Sequence, residues 1–373
     1  MSAGGSLVLL YHRVAELERD PHGLAVAPER FARHCEILRR RGVVMPLQEC
    51  RGSSGRVAIT FDDGYADNAG QAAAILADAQ LPATFFLTVG RLGGRREIWW
   101  DRLEQLLLGC RTIASAIDVE IAGRRVWIDV RSAAARERAH LALFWRLRPL
   151  APDAIDAVLD GLEGQLGART ADRETHRWMT VEELRGLASR DGVAIGAHTV
   201  THPFLAGLDP EAQWREIDGS RRTLQQVLDR PVSAFSYPYG GREAFDEGTI
   251  ELVRRAGYTI ACTVTGGPPT LRQMTFQRRD GSFLVALWNE VASYDLTRRQ
   301  VIAVPKQSVR VTVSPSTPHL RTYRWRDDGV VSQSTSDAGK TSVSVGVADA
   351  LVVLIFGPAN TTLPAARLNA VPN

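Results

Sequence analysis

The chain has 373 residues, of which 45% are hydrophobic and 23% charged, a composition typical of a globular protein. Its formal net charge of +3 is too small to predict a nucleic-acid partner or binding to a membrane surface. No apolar run approaches the roughly 18 residues of a membrane-spanning helix, so no transmembrane segment is predicted. Met1–Leu10 lacks the basic region and long apolar core of a secretory signal, which makes the cytoplasm the expected location.

The first predicted strand covers Leu7–Val14 and carries a polar residue, His12, near its end. The sequence allows two interpretations of His12, a strand-end histidine that hydrogen-bonds to the backbone or a residue that acts in a site. A helix is predicted over Pro28–Arg41, because Pro28 suits a first helical turn and Gly42 suits a helix end.

Two adjacent carboxylates, Asp62 and Asp63, end the next predicted strand, which begins at Val57. Neighbouring side chains of a regular strand point to opposite faces. Both acids can therefore serve one site only if the strand breaks there, and Gly64 permits such a break. Asp-Asp-Gly is also common in solvated turns, so the stretch by itself is compatible with either interpretation.

Strands and helices alternate through most of the chain. A helix predicted over Ala69–Ala79 and a strand over Pro82–Gly90 complete a βαβ unit, which indicates a largely parallel sheet and favours a (β/α) barrel. Residues 91–177 depart from this alternation and are predicted to form a helical insertion over the mouth of the barrel. Trp99 and Trp100 open the insertion, where they would either pack in its core or stack on sugar rings.

A second polar strand end holds two histidines, His198 and His202, four residues apart. This spacing lets two imidazoles bind one metal ion from one side of a helical turn, and Pro203 stops a helix from continuing. A carboxylate from Asp62 or Asp63 would complete a set of two histidines and one acid, which is a known open catalytic zinc set.

A third such stretch runs from Val232 to Gly241 and includes Tyr237-Pro238-Tyr239-Gly240. Helical periodicity then disappears from about residue 296, and alternating runs separated by turn residues predict strands. We therefore predict two domains, a barrel over residues 1–295 and a small β-sandwich-like domain over residues 296–373.

Together the three stretches resemble the polysaccharide deacetylase family (carbohydrate esterase family 4), which includes chitooligosaccharide deacetylases. Thr60–Gly64 matches the family's Thr-Phe-Asp-Asp-Gly motif, His198–Pro203 matches His-Ser/Thr-x-x-His-Pro, and Tyr237–Gly240 matches a motif that ends in Pro-Tyr-Gly. The resemblance implies a distorted (β/α) barrel of the α/β class, here with a helical insertion and a small C-terminal β domain. It also implies a metal-dependent hydrolase that removes an N-acetyl group from an amino sugar.

The resemblance further implies which residues act. Asp63, His198 and His202 would hold one divalent metal, most simply zinc, although cobalt, nickel or iron can occupy the same ligand set. Asp62 would be the general base. Members of a rearranged subgroup carry an N-terminal Tyr-His, and in this chain His12 would accordingly be the general acid.

The substrate would be a carbohydrate held by the third motif and the insertion. The expected substrate-binding residues are Tyr237, Pro238 and Tyr239, with a backbone N–H of this loop stabilising the oxyanion, together with Trp99 and Trp100.

The chain departs from the family pattern in the third motif. Many members have an arginine there that orients the base, whereas this chain has Ser236. Arg278 and Arg279 would either supply a replacement for that arginine or, the simpler interpretation, form a solvated basic pair. Two other functions remain open at this point, a catalytically inactive carbohydrate-binding homologue and a metal-dependent amidase acting on a small non-sugar amide.

Overall fold

The structure is a computed structural model that describes residues 6–50, 55–109, 114–168 and 170–264, and the backbone of the strands after residue 264. The chain divides into two compact units, Met1–Val264 and Thr265–Asn373. This division lies before the boundary that the sequence predicts at residues 295 and 296, because a strand over Phe283–Asn289 pairs with a strand over Val352–Gly357. Each unit is described by itself.

The first unit is built on short strands. They are β1 (Leu7–Tyr11), β2 (Arg13–Val14), β3 (Ala25–Val26), β4 (Val57–Phe61), β5 (Ala83–Leu87), β6 (Ala116–Ile121), β7 (Arg124–Asp129), β8 (Val193–Ala197), β9 (Ala234–Ser236) and β10 (Ile260–Cys262). Six of them form one parallel sheet in the order β1-β4-β5-β8-β9-β10. The sheet is curled into half of a barrel, which confirms the predicted fold class.

Helices connect these strands. They are α1 (Pro28–Arg41), α2 (Leu47–Cys50), α3 (Ala73–Ala79), α4 (Trp99–Glu104), α5 (Ala133–Leu147), α6 (Pro152–Leu166), α7 (Val181–Ala188), α8 (Pro210–Leu228) and α9 (Glu247–Arg255), with π-helical turns at Asn68–Ala72 and Gln105–Gly109. The predicted bounds of α1 are confirmed, with Gly42 in the left-handed conformation at its end. No helix among the residues that the structure describes is both long and apolar enough to cross a membrane.

The register of the sheet brings the polar strand ends together. Tyr11 of β1 lies opposite Phe61 of β4, and Ala197 of β8 lies opposite Phe235 of β9. Because the strands are parallel, the residues that follow these pairs lie at the same carboxyl edge of the sheet. A ligand bound at this edge can therefore contact several strand ends at once.

A predominantly apolar core lies against this sheet. The rings of Phe61 and Phe85 stack with centroids 4.7 Å apart, and both side chains are fully buried. Phe31 of α1 contacts Phe61 edge-to-face. The packing of these side chains holds β4 and β5 in place, and with them the loops at the carboxyl ends of the two strands.

The predicted insertion is more varied than the sequence indicates. In addition to α4, α5 and α6, it contains an antiparallel hairpin made of β6 and β7. The side chains of the insertion form a second core, which includes Trp99, Trp100 and Leu143.

The second unit consists of antiparallel strands as far as it is described. They are β11 (Leu271–Gln277), β12 (Phe283–Asn289), β13 (Tyr294–Asp295), β14 (Gln300–Val301), β15 (Gln307–Thr312), β16 (His319–Trp325), β17 (Val331–Ser336), β18 (Ser342–Val347) and β19 (Val352–Gly357). Five of them form a sheet in the order β11-β12-β19-β16-β17.

Candidate functional site

The two acids after β4 face one site because the strand ends in a turn. Asp63 has a φ of 74°, in the left-handed region, and Gly64 follows with a φ of 96°. The N–H of Thr88 donates to the carbonyl of Asp63 at 3.1 Å, which ties the turn to the end of β5. This break in the strand lets both adjacent carboxylates point to the same side.

The two histidines lie in the loop after β8. Thr199 and His202 both have positive φ values, 68° and 60°, so the loop is a tight turn and not part of a helix. Glu216 of α8 accepts hydrogen bonds from the N–H groups of Val200 and Thr201, each at 2.8 Å. The loop is thus held from outside while its histidines point inward.

Asp63, His198 and His202 converge on one point. The Oδ1 atom of Asp63 lies 3.6 Å from Nε2 of His198 and 3.4 Å from Nε2 of His202. One ligand atom from each of the three residues lies within 4.8 Å of the other two, and all three residues are buried. For comparison, ligands at about 2.0 Å from a tetrahedral ion lie roughly 3.3 Å apart.

Hydrogen bonding supports the use of these atoms as metal ligands. Nδ1 of His198 lies 2.8 Å from the carbonyl oxygen of Ser236. Because a carbonyl only accepts, Nδ1 carries the proton and the lone pair of Nε2 is directed at the centre of the three residues. Among the described residues, Oδ2 of Asp63 is buried without a hydrogen-bond partner, as expected for an oxygen beside a cation site. The three side chains therefore fit a divalent metal.

Asp62 lies beside this group and is held by Ser236. The Ser236 hydroxyl donates to Oδ2 of Asp62 at 2.9 Å, while Oδ1 of Asp62 is buried and has no partner among the described residues. Burial raises the pKa of Asp62 to about 7, and the hydrogen bond from Ser236 opposes this rise. One oxygen is thus fixed and the other is available to accept a proton. The sequence places Ser236 in the third motif without indicating this contact.

His12 follows β1 at the same edge of the sheet. Its backbone carbonyl accepts a hydrogen bond from Nδ2 of Asn68 at 2.9 Å, and the fully buried Asn68 belongs to the first π-helical turn. The pKa of His12 is lowered to about 4, mainly by burial and then by the charge of His198. His12 is therefore near the metal ligands and neutral at pH 7.

The third motif contacts His202 through Tyr239. The Tyr239 ring contacts His202 edge-to-face with centroids 4.7 Å apart, and its buried hydroxyl faces the indole N–H of Trp99. Tyr237 and Pro238 are buried, and Tyr237 stacks on Phe245 with centroids 4.2 Å apart. Of these three residues, Tyr239 makes the closest approach to the candidate metal ligands that the ring contacts show.

The tryptophan pair packs inside the insertion. Trp100 contacts His202 edge-to-face at 4.9 Å between centroids, and its Nε1 donates to the hydroxyl of Tyr65 at 3.0 Å. Trp99 stacks on Phe144 at 5.2 Å. Both tryptophans are nearly fully buried, at 8% exposure for Trp99 and 4% for Trp100, so little of either ring faces solvent.

Two further observations concern arginines. The structure buries Arg148 against Tyr239, with its guanidinium carbon 4.6 Å from the ring centroid. Arg278 and Arg279, the predicted replacements for the missing motif arginine, lie outside the described residues.

The comparisons with known proteins agree with the motifs. The polysaccharide deacetylase family model matches residues 51–108 and 168–261, two segments that flank most of the insertion. YxkH of Bacillus subtilis (strain 168), which is named as a polysaccharide deacetylase, is 28% identical over 89 residues. That match covers 24% of this chain and 30% of YxkH.

Two solved structures are among those similar to this chain. The deacetylase PplD of Streptococcus pyogenes, in complex with acetate, has 17% sequence identity and a TM-score of 0.45, over 71% of this chain and 86% of PplD. IcaB from Ammonifex degensii has 18% identity and a TM-score of 0.43, over 70% of this chain and 84% of IcaB. The two segments that the family model matches contain Asp62, Asp63, His198 and His202, so the chain is similar to the polysaccharide deacetylase family in the parts that carry its candidate site residues.

Proposed function

We propose that this protein is a metal-dependent hydrolase that removes an N-acetyl group from an amino sugar in a glycan, a glycolipid or a glycosylated intermediate. The observation that carries the proposal is the buried group of Asp63, His198 and His202 beside an acid, Asp62, with one free oxygen. A site that only bound sugar would have no use for a separate base next to its metal ligands. The family match supports the same chemistry.

The metal would be one divalent ion, with zinc as the first expectation for two histidines and one carboxylate. Such an ion supplies Lewis-acid chemistry, in that it polarises a carbonyl and lowers the pKa of a water molecule. Asp63, His198 and His202 would hold it. The hydrogen bond between Nδ1 of His198 and Ser236 keeps that imidazole in the tautomer and orientation that ligation requires.

Asp62 would take the proton from the attacking water. A general base works best when its pKa lies near the working pH, and burial raises the pKa of Asp62 to about 7. The Ser236 hydroxyl holds one carboxylate oxygen in place, which leaves Oδ1 to accept the proton.

The third motif would donate a hydrogen bond to the oxyanion of the tetrahedral intermediate. The N–H of Tyr237 is already used by the carbonyl of Cys262 at 3.1 Å, and Pro238 has no N–H. Within this motif, that leaves the N–H of Tyr239 to donate to the developing charge, next to His202. The turn that presents it has a left-handed residue, with a φ of 62° at Tyr239.

His12 would deliver a proton to the leaving amine. Amides need this help because an amine anion leaves poorly. Since the pKa of His12 is about 4, its imidazole starts neutral at pH 7, so it must first receive the proton that Asp62 takes from the water and then pass it to the amine. The negative charge of the tetrahedral intermediate favours that protonation, because an opposite charge nearby raises the pKa of a histidine.

The test is acetate release from N-acetylglucosamine and its oligomers by the zinc-loaded protein and by Asp62→Asn. We expect the variant to keep its zinc and to lose a factor of about 10² to 10⁴ in kcat, the usual contribution of a general base. Acetate release at the wild-type rate by Asp62→Asn would overturn this role. No release from any acetylated sugar by the zinc-loaded wild type would overturn the proposed function.

A further inference from the structure

A large aromatic side chain lies exposed near the candidate site. Trp145 belongs to the last turns of α5 in the insertion and is 57% exposed, although tryptophan is usually well buried. The proposed mechanism gives it no role. Its neighbours nevertheless connect it to the metal-ligand group.

Arg148 makes this connection. Its guanidinium carbon lies 5.0 Å from the ring centroid of Trp145 and 4.6 Å from that of Tyr239. The same group lies 5.2 Å from the ring of Phe204. Arg148 itself is 8% exposed, and its Nη2 donates to Oε1 of Glu243 at 2.8 Å. The cation is therefore buried, paired and fixed between aromatic faces.

This arrangement orients the indole of Trp145. Contact with a guanidinium is favourable for an aromatic face and restricts the ring even though much of it is exposed. Phe144 adds an edge-to-face contact with centroids 5.5 Å apart. An oriented and exposed ring costs less conformational entropy when a ligand stacks on it than a freely rotating one does.

The cluster lies next to the candidate reaction centre. Tyr239, which contacts Arg148, is also the residue whose ring touches His202 at 4.7 Å between centroids. Trp145 is thus separated from a candidate metal ligand by two intervening side chains, Arg148 and Tyr239. A glycan bound with its acetamido group at the metal ligands has a further pyranose ring next to that sugar, and Trp145 is the exposed aromatic side chain of this cluster.

We propose that Trp145, held by Arg148, is a stacking subsite for a pyranose ring adjacent to the sugar that is deacetylated. The apolar C–H face of a pyranose matches the flat apolar face of an indole. This inference rests on the proposed function and narrows it, because a substrate that uses the subsite must be an oligosaccharide or a longer glycan and not a free monosaccharide.

The test measures binding separately from turnover. The binding of the N-acetylglucosamine tetramer and of the monosaccharide is measured by calorimetry on zinc-loaded Asp62→Asn, alone and combined with Trp145→Ala, Trp145→Phe or Trp127→Ala. Trp127 is a matched control, because it lies on β7 of the same insertion, is 72% exposed and has no part in the cluster. Near-ultraviolet circular dichroism checks that each variant is folded.

We expect Trp145→Ala to weaken tetramer binding about tenfold, which corresponds to roughly 1.4 kcal/mol. Trp145→Phe, which keeps an aromatic face, should recover most of this loss, and Trp127→Ala should bind the tetramer like its parent. Equal tetramer affinity with and without Trp145, an equal loss in Trp127→Ala, or no measurable tetramer binding by the parent would each overturn the subsite.

The two proposals fail in different ways. If the wild type releases no acetate but Trp145→Ala still weakens tetramer binding, the subsite stands and the proposed function falls. If the wild type releases acetate and Trp145→Ala binds the tetramer as tightly as its parent, the proposed function stands and the subsite falls.

Discussion

The two apolar cores of the first unit differ in the acidic and basic side chains that are buried near them. The core against the parallel sheet is mainly aliphatic and aromatic, as in the stack of Phe61 on Phe85. The core of the insertion is also apolar, but acidic and basic side chains with very little exposure lie in the same region, among them Glu97, Arg102 and Glu104 at 3%, 3% and 2%. The core of the insertion reaches the candidate site, because its member Trp100 contacts His202.

This difference predicts which region should change its stability with pH and with the loss of a charged side chain. Apolar packing depends little on pH and salt, so the strands of the parallel sheet should keep their positions over a wide range of conditions. Buried charges are tolerated only while each is paired. The insertion should therefore be the part of this unit that loses stability when one member of a buried ion pair is removed or when the protonation of a buried side chain changes.

The largest expected effect on stability comes from Arg173. Its Nη2 lies 2.8 Å from Glu97 and its Nη1 lies 2.6 Å from Glu104, so Arg173→Met leaves two buried carboxylates short of a partner. We expect a loss of about 3 to 5 kcal/mol in the free energy of unfolding, measured by urea titration.

The control for Arg173 is Arg96, which is 43% exposed and pairs with the exposed Asp160. Arg96→Met should cost at most about 1 kcal/mol, because exposed ion pairs contribute little. Equal losses in the two variants would show that the burial of the charges in the insertion does not matter.

The next effect separates catalysis from stability. Ser236→Ala removes the hydroxyl that holds Asp62 but keeps the backbone carbonyl that holds His198. We expect kcat for acetate release to fall about 10- to 100-fold, as for other groups that orient the residues of a metal site, while zinc affinity stays unchanged.

Ser220→Ala serves as the control, since that hydroxyl is fully buried in α8 and donates to the carbonyl of Ile217. It should leave kcat as it is. A wild-type kcat in Ser236→Ala would contradict the orienting role, and an equal fall in both variants would point to a general effect of a lost buried hydroxyl.

The smallest effect concerns acid stability. His140 is buried in the insertion, and burial, followed by the neighbouring His22, lowers its pKa to about 4. The unfolded state, with an ordinary histidine pKa of about 6.5, then binds more protons, so stability falls as the pH drops from about 6.5 to 4.

His140→Phe should lessen this fall by roughly 2 kcal/mol, because the variant has no imidazole at this position to bind a proton in the unfolded state. The measurement is urea unfolding at pH 7.5 and pH 4.5, with the exposed His34→Gln as the control. A wild-type pH dependence in His140→Phe would assign the acid sensitivity to other groups.

The sequence predicts which residues lie at the strand ends, because each pattern is carried by a few neighbouring residues. Two patterns can be recognised in the sequence once a parallel sheet is expected. One is a strand that ends in Asp62-Asp63-Gly64, and the other is a loop with His198 and His202 four residues apart. The register of that sheet then brings them together. The candidate ligand group is the result of these short-range signals.

The insertion is predicted less well. The hairpin of β6 and β7 has a local signal, since apolar and polar residues alternate over Ile117–Ile121 and a tight turn follows at Ala122 and Gly123, yet a helical subdomain is predicted there. The burial of Arg148 has no local signal, because Tyr239 and Glu243, which contact it, are remote in sequence. The contact of Ser236 with Asp62 also spans distant positions and has no sequence signature of its own.

The most direct test of the central claim is whether acetate release follows metal occupancy of the group formed by Asp63, His198 and His202. Chelated wild type and His202→Gln would each be titrated with zinc while bound metal and acetate release from the N-acetylglucosamine tetramer are measured together. The account predicts that wild-type activity rises with zinc and saturates at one ion per chain, and that His202→Gln binds zinc more weakly with a matching loss of activity. Full acetate release by the chelated protein, or unchanged zinc binding by His202→Gln, would contradict it.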